Sequence, residues 1–161
     1  MLKKVRVQLV AKRDEIRTVS SETGPEVTDE KSDRIEFFTE GNYHDDGERV
    51  SIVYHESELT GMDGAVTTLS FLKKEPGLVS MLRNGTVRTA LVFEEGRRHI
   101  CIYETPFMPF EVTVETDCVQ NRIPEDGTLA LSYTVEIKGA SAEHTDFRMT
   151  VLPLYKKPLT D

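Results

Sequence analysis

Residues 78–94, LVSMLRNGTVRTALVFE, decide the fold, because they hold two short strand-like runs around the dipeptide Asn84-Gly85. Asn-Gly between alternating apolar residues is the strongest short-range signal of a tight β-hairpin. The flanking segments, Leu78 to Arg83 and Val87 to Glu94, are therefore predicted to pair as antiparallel strands. A lone hairpin is barely stable in water, so the fold depends on whether this pattern continues on both sides.

The pattern does continue, with a turn signal about every ten residues for more than a hundred residues. The other signals are Asp46-Gly47, Glu75-Pro76-Gly77, Glu95-Gly96, Pro124 to Gly127 and Gly139 to Ala142. No stretch repeats its apolar residues at the spacing of a helix. The sequence predicts an all-β fold, a closed antiparallel up-and-down β-barrel of roughly eight to ten strands, since closure removes the bare edges of a meander. A two-sheet sandwich is the alternative.

The chain has 161 residues, and 38% of them are hydrophobic. We expect one domain, residues 1–161, which is long enough to bury a core without disulfides. Two segments depart from the strand pattern. Residues 14–33 are rich in Ser, Thr, Glu and Asp, which predicts a polar loop. Residues 153–161 hold two prolines and are predicted to be a frayed tail.

The charge and the cysteines limit the partners and the compartment. With 20 basic and 28 acidic residues the net charge is −8, which argues against nucleic acid and anionic membranes as partners. No apolar run approaches the length of a membrane helix, and the N-terminus lacks the apolar core of a signal peptide. We expect a cytoplasmic protein in which Cys101 and Cys118, which form no CxxC motif, remain reduced.

Four sequence runs, taken together, are similar to those of a known family. They are FTEGNY at 38–43, YHESELTGMDG at 54–64 followed by TTL at 67–69, FEEG at 93–96, and YETP at 103–106. In order and spacing, from about Val5 to Val151, the chain resembles the YwiB-like family of small bacterial proteins, whose domain has no known function. The resemblance implies a lipocalin-like (calycin) barrel and brings no established activity, ligand or catalytic residue. Met108-Pro109 departs from the family, which tends to place a glycine soon after YETP.

Two glutamates near the end of a strand are the best candidates for chemistry. Glu56 and Glu58 share a strand face with Tyr54, and Glu104 shares one with Ile100 and Ile102. If both faces look inward, three carboxylates meet at the barrel mouth, where they could serve acid–base work or hold a cation. The favoured interpretation is structural: the glutamates are solvated at the rim or accept hydrogen bonds from a corner at residues 60–64. The candidate ligand-binding residues are Tyr54, Glu56, Glu58, Met62, Tyr103 and Glu104.

The sequence indicates no cofactor and no metal site. The four histidines include no HxH or HExxH spacing. Gly61 and Gly64 fit a sharp corner better than a phosphate-binding loop, because no helix follows them. No catalytic residue is assigned.

Three functions stay open. The first is a non-enzymatic module that binds a small, largely apolar ligand, or a partner at the barrel mouth. The second is a structural or interaction protein with a filled barrel, and the third is an enzyme that uses Glu56, Glu58 or Glu104. The interior decides among them, because a cavity of several hundred Å³ would favour binding. Large side chains would fill it if they pointed inward: Phe37, Tyr43, Tyr54, Phe93, Phe110 and Tyr133.

Overall fold

A computed structural model describes residues 2–19, 27–57, 64–137 and 141–153, without the side chains of residues 16–19, 27–31 and 141. Ten strands and one helical turn account for most of them. They are β1 Leu2–Val19, β2 Val27–Asp45, β3 Arg49–His55, β4 Val66–Leu72, β5 Glu75–Asn84, β6 Arg88–Glu94, β7 Arg98–Glu104, β8 Pro109–Arg122, α1 Ile123–Asp126, β9 Thr128–Ile137 and β10 Ser141–Pro153. No helix in these ranges is long and apolar enough to cross a membrane.

The strands form one closed barrel. Each strand lies antiparallel beside its neighbour in sequence, and β1 pairs with β10 to complete the ring. The predicted all-β, up-and-down barrel is therefore confirmed, with ten strands, and the sandwich alternative is wrong. Strands β6 and β7 pair over a short segment only, with Arg88 opposite Glu104 and Thr89 opposite Tyr103.

The hairpin at residues 78–94 forms, with Arg83 opposite Thr89 and Leu82 opposite Ala90, but its connection is wider than the tight turn predicted from Asn84-Gly85. Gly85, in the turn of this hairpin, packs against Ala65 just before β4, and a Cβ at Gly85 would lie only 2.9 Å from the Cβ of Ala65. At the predicted Asp46-Gly47 turn the glycine has a φ of 95°, a conformation that side chains disfavour.

One half of the barrel is filled with apolar side chains. Because side chains alternate across a strand, every second residue points inward. Among the most buried of these are Val5, Val7, Val50, Ile52, Leu69, Phe71, Val79, Met81, Phe93, Val114, Leu129 and Met149. At this end the predicted turn Pro124 to Gly127 is the helical turn α1, whose Ile123 joins the core. The cavity described below therefore lies in the other half.

The predicted polar loop at residues 14–33 is wrong. Residues 14–19 continue β1 and residues 27–33 belong to β2, and the two segments pair residue by residue up to Val19 and Val27. Beyond Ile16, the last β1 residue that pairs with β10, residues 17–19 and 27–29 form a two-stranded arm that has no barrel interior to face. Residues 14–16 and 30–33 still belong to the barrel but are mostly polar. Neither part therefore shows the apolar alternation that signals a strand. Only residues 20–26 of the predicted loop fall outside the described ranges.

Three further expectations concern the corner at Met108-Pro109 after β7, the two cysteines and the C-terminal tail. The Thr105 hydroxyl donates to the Met108 carbonyl oxygen at 2.8 Å and accepts from the Met108 amide at 3.2 Å, so a side chain closes the corner beside Met108-Pro109. Cys101 and Cys118 are both free, as expected. Of the predicted frayed tail, Pro153 ends β10 and the rest lies outside the described residues.

Candidate functional site

A cavity of about 330 Å³ occupies the barrel end opposite the helical turn α1. Its walls come from the ends of β1, β3, β5, β7 and β9 and from the early residues of β2 and β10. Eight of the lining residues are apolar: Leu9, Ala11, Ile35, Phe37, Leu91, Val135, Ile137 and Phe147. A wall that is mostly apolar with a few convergent polar groups is typical of small-molecule sites.

The polar part of the wall centres on an ion pair inside the barrel. Arg83, near the end of β5, places its Nε 3.6 Å from Oε1 of Glu56, which follows β3. Glu56 is only 6% exposed, and its Oε1 accepts a hydrogen bond of 2.6 Å from the Thr67 hydroxyl on β4. The distance to Arg83 is too long for a hydrogen bond. The pair thus balances charge while the guanidinium keeps its hydrogen-bonding capacity.

Arg83 remains cationic in this environment. Burial by itself lowers the pKa of Arg83, but the neighbouring Tyr133, Tyr54 and Glu56 raise it by more, so that the pKa lies above its usual value. The Nε is buried and has no hydrogen-bond partner among the described residues. A charged donor group with unused N–H bonds is therefore part of the cavity wall.

Three tyrosines surround the guanidinium. The Tyr54 hydroxyl is buried beside the Thr67 hydroxyl, but within the described ranges it makes no hydrogen bond of good geometry. Burial, and then the charge of Glu56, raise the pKa of Tyr54, while burial raises the pKa of Tyr103 to about 12. Burial likewise raises the pKa of Tyr133. All three hydroxyls keep their protons at neutral pH and can donate hydrogen bonds.

Contacts between rings hold two of these tyrosines in place. The ring of Tyr133 lies 4.5 Å from that of Phe93, and the ring of Tyr103 lies 5.4 Å from that of Phe110, both at tilted angles. Aromatic pairs favour such tilted geometry. The polar end of the cavity is thus supported by the packed core below it.

The outer part of the cavity carries further charges. Arg13 on β1 makes a two-point contact with Asp33 on β2, at 3.1 Å from its Nε and 2.9 Å from its Nη2. Glu15 and Glu143 also line this part of the wall. Burial raises the pKa of Glu143, and the nearby Arg13 counteracts part of that rise. Since Asp33 engages Arg13, this part of the cavity offers no excess of positive charge.

Three of the six candidate residues line the cavity: Tyr54, Glu56 and Tyr103. Of the two structural alternatives for Glu56, the solvated rim residue is wrong, because its carboxylate is buried against Thr67 and Arg83. The other, hydrogen bonds from the corner at residues 60–64, involves residues that are mostly outside the described ranges. Glu58 and Met62, like the corner at residues 60–63, lie outside the described residues. Next to that corner, Gly64 has a φ of 87°.

The expectation that Glu104 joins the barrel mouth is wrong. It lies on the outer face of β7 with Ile100, which is 72% exposed, and its Oε2 is 3.8 Å from Arg88 on the same surface. The alternate residues of β7, Cys101 and Tyr103, point inward. Both faces of β7 carry apolar side chains, so the sequence pattern did not reveal which face was buried.

Arg83 is the main residue that the sequence analysis missed. It follows Val79 and Met81 at two-residue spacing, and both of these are completely buried. A charged residue in line with buried apolar residues was the signal that could have identified it. Arg13 and Glu143 were also missed, because β1 and β10 approach the cavity through polar stretches.

The chemistry that the arrangement offers lies at the polar end of the cavity. Thr67, which contacts Glu56, is completely buried and does not line the cavity, so no substrate atom can reach its hydroxyl. Among the described residues, no group of three or more His, Cys, Asp or Glu side chains is placed to hold a metal ion. The cavity presents an apolar wall and, at one end, hydrogen-bond donors from Arg83 and Tyr54.

Comparisons with known proteins agree with the sequence resemblance. The model of a family described as a domain of unknown function, DUF1934, matches residues 19–149. The crystal structure of the ywiB protein from Bacillus subtilis is similar over 96% of both chains, with a TM-score of 0.68 and 20% sequence identity. The predicted likeness to YwiB is thereby confirmed, and at this identity it supports the fold alone. No curated protein is significantly similar to the chain.

Proposed function

The chain belongs to the DUF1934 family, and we propose that it is a non-enzymatic binding module that takes a small, largely apolar ligand inside its barrel. The observation that carries this proposal is the cavity of about 330 Å³ with its mostly apolar wall. Protein interiors are close-packed and rarely leave voids larger than a water molecule. A cavity with the volume of about eleven waters therefore argues for an occupant.

The competing view of a filled barrel is less well supported. Phe93, Tyr54 and Tyr133 do point into the barrel, as that view requires, but the cavity remains beside them. Barrels of about eight strands can hold one small ligand, as in the lipocalins, and a ten-stranded barrel has more room. The ligand would enter at the end opposite α1, where Glu15 and Glu143 lie.

Composition supports the rest of the proposal. A net charge of −8 makes a nucleic acid or an anionic membrane a poor partner. Two free cysteines suit a reducing compartment, which favours the cytoplasm.

A matched pair of substitutions tests the proposal. Ala11 lines the cavity and Ala90 is exposed on the outside of β6, so Ala11→Leu fills the cavity whereas Ala90→Leu does not. Thermal melts of each protein would be recorded with and without nonan-2-one, a neutral compound of about ten non-hydrogen atoms that fits the volume at roughly 30 Å³ per atom.

We expect nonan-2-one to raise the melting temperature of the parent and of Ala90→Leu. A hundredfold excess over the dissociation constant would stabilise the fold by about 2.7 kcal/mol. The effect should be lost in Ala11→Leu. Native mass spectrometry of the purified parent would show whether it already carries a ligand. If the parent carries none, and no neutral alkyl compound of this size shifts its melting, the proposal fails.

A further inference from the structure

We propose that the ligand is uncharged and carries a carbonyl oxygen, which accepts hydrogen bonds from Arg83 and Tyr54 at the polar end of the cavity. This inference rests on the proposed binding function and specifies the chemistry of the ligand. The relevant compounds are alkyl ketones, esters and amides of about ten non-hydrogen atoms, a size set by the cavity volume at roughly 30 Å³ per atom.

The need for an acceptor follows from unused donors. The guanidinium of Arg83 has five N–H bonds, and its only described polar contact is the 3.6 Å approach of Glu56. The buried Tyr54 hydroxyl lies beside Thr67 but makes no hydrogen bond of good geometry among the described residues. Unsatisfied buried donors are rare in folded proteins and call for an explanation. A ligand oxygen close to both side chains would supply the missing acceptor.

We expect an uncharged ligand because the charges around its oxygen are already balanced by the protein. Glu56 already neutralises Arg83 within the barrel, and Asp33 engages Arg13 at 2.9 Å. A carboxylate ligand would add a second buried anion beside one cation, and burial of an uncompensated charge is strongly unfavourable. Glu143, which lines the outer part of the cavity, would repel it on the way in. A carbonyl oxygen accepts the same hydrogen bonds without that cost.

The apolar wall determines which chemical groups the rest of the ligand can carry. Phe37, Ile35, Leu91 and Val135 offer dispersion contacts and no hydrogen-bonding side chains. Each buried methylene group of a ligand contributes about 0.8 kcal/mol when it leaves water. An alkyl chain attached to the carbonyl group therefore matches the remaining volume.

The test compares three probes of nearly equal size by titration calorimetry at neutral pH. Nonan-2-one has the carbonyl group, 2-methylnon-1-ene replaces its oxygen with a CH₂ group, and octanoate carries a negative charge. The ratio of the ketone and alkene dissociation constants is compared between proteins, so that the greater hydrophobicity of the alkene cancels.

In Tyr54→Phe and Arg83→Met, the preference for the ketone over the alkene should decrease by about three- to tenfold and about ten- to a hundredfold respectively, the ranges for one neutral and one charged hydrogen bond. Tyr43→Phe is the matched control, because Tyr43 does not line the cavity, and should leave the ratio unchanged. Should Arg83→Met fail to fold, Tyr54→Phe still decides the role of the donors. An unchanged ratio in Tyr54→Phe and in every folded Arg83 variant would overturn the proposal.

Octanoate tests the charge argument separately. The parent should bind octanoate at least about tenfold more weakly than nonan-2-one. In Glu56→Gln the affinity for octanoate should rise about tenfold, while the affinity for the ketone should change by less than about twofold, as expected when one opposing charge is removed. If the parent prefers octanoate, the ligand is an anion and the proposal is wrong, although the binding function stands. If none of the three probes binds a parent protein that native mass spectrometry shows to be free of ligand, the binding function itself is contradicted.

Discussion

Replacing Arg83 with methionine removes the cation of a buried ion pair and leaves the Glu56 carboxylate inside the barrel. That carboxylate is 6% exposed and would keep the hydrogen bond of 2.6 Å from Thr67. Loss of one partner of a buried pair costs about 3–5 kcal/mol, because the remaining charge stays out of water without its counter-ion. We expect the lower end, about 3 kcal/mol, since Thr67 remains and the Arg83 side chain is 16% exposed.

The matched control is Arg88→Met, which breaks an ion pair at the surface. Arg88 and Glu104 are 3.8 Å apart, and their side chains are 64% and 58% exposed. Exposed pairs contribute about 0–1 kcal/mol, so this variant should lose less than about 1 kcal/mol. Urea unfolding at neutral pH, followed by circular dichroism, gives both free energies of unfolding and shows whether the denaturant dependence is unchanged.

The double variant Arg83→Met, Glu56→Leu separates charge from packing. Apolar replacement of a whole buried pair is often neutral or stabilising by about 1–4 kcal/mol, so the double variant should recover most of the loss caused by Arg83→Met. If Arg83→Met and Arg88→Met lose the same free energy of unfolding, burial does not make the Glu56–Arg83 pair more important than the surface pair. A double variant as unstable as the single one would show that the loss comes from packing.

Three further outcomes can be checked by the same unfolding experiments. Thr67→Val should lower the free energy of unfolding by about 1–3 kcal/mol, because it removes the hydroxyl that donates to the buried Glu56. A loss below about 0.5 kcal/mol, which is typical of a neutral surface substitution, would contradict this. Glu143→Gln should be more stable than the parent near pH 7 and equal to it near pH 4: the folded-state pKa of Glu143 is raised, so its ionisation weakens the fold as pH rises. Gly127→Ala should cost about 1–3 kcal/mol more than Gly47→Ala, since both have positive φ but only at Gly127 would a Cβ meet a backbone oxygen, at 2.6 Å.

The sequence predicted the barrel well because its evidence is local. Turn dipeptides such as Asn84-Gly85 and the two-residue alternation of apolar residues determine each hairpin without reference to the rest of the chain. Sequential hairpins then leave few topologies, and closure of β1 on β10 follows from the need to pair the edges. Residues 14–19 and 27–33 lack both signals, because their pairing continues the register that β1 and β2 already have at Leu9 and Phe37.

The candidate site was only partly predictable, because its chemistry depends on contacts between distant strands. Tyr54 and Glu56 were identified from alternation on β3 alone. Whether Glu56 meets water or a cation depends on Arg83, about thirty residues away, and on Thr67 across the β3–β4 pair. Glu104 was misplaced for the same reason: only its pairing opposite Arg88 and Pro109 settles which face of β7 is buried.

Stability alone does not account for the ion pair of Glu56 and Arg83. The other half of the barrel shows that this chain can fill its interior with Phe71, Met81 and Phe93, and an apolar pair would serve the fold at least as well as a buried ion pair. At the cavity the chain instead maintains a cation whose Nε has no described hydrogen-bond partner. An arrangement that gives the empty protein no more stability than an apolar pair would is explained if a ligand completes it, because the hydrogen bonds made on binding then contribute to affinity. The variants Tyr54→Phe and Arg83→Met test that link directly, since they should change the discrimination between ketone and alkene while Tyr43→Phe should not.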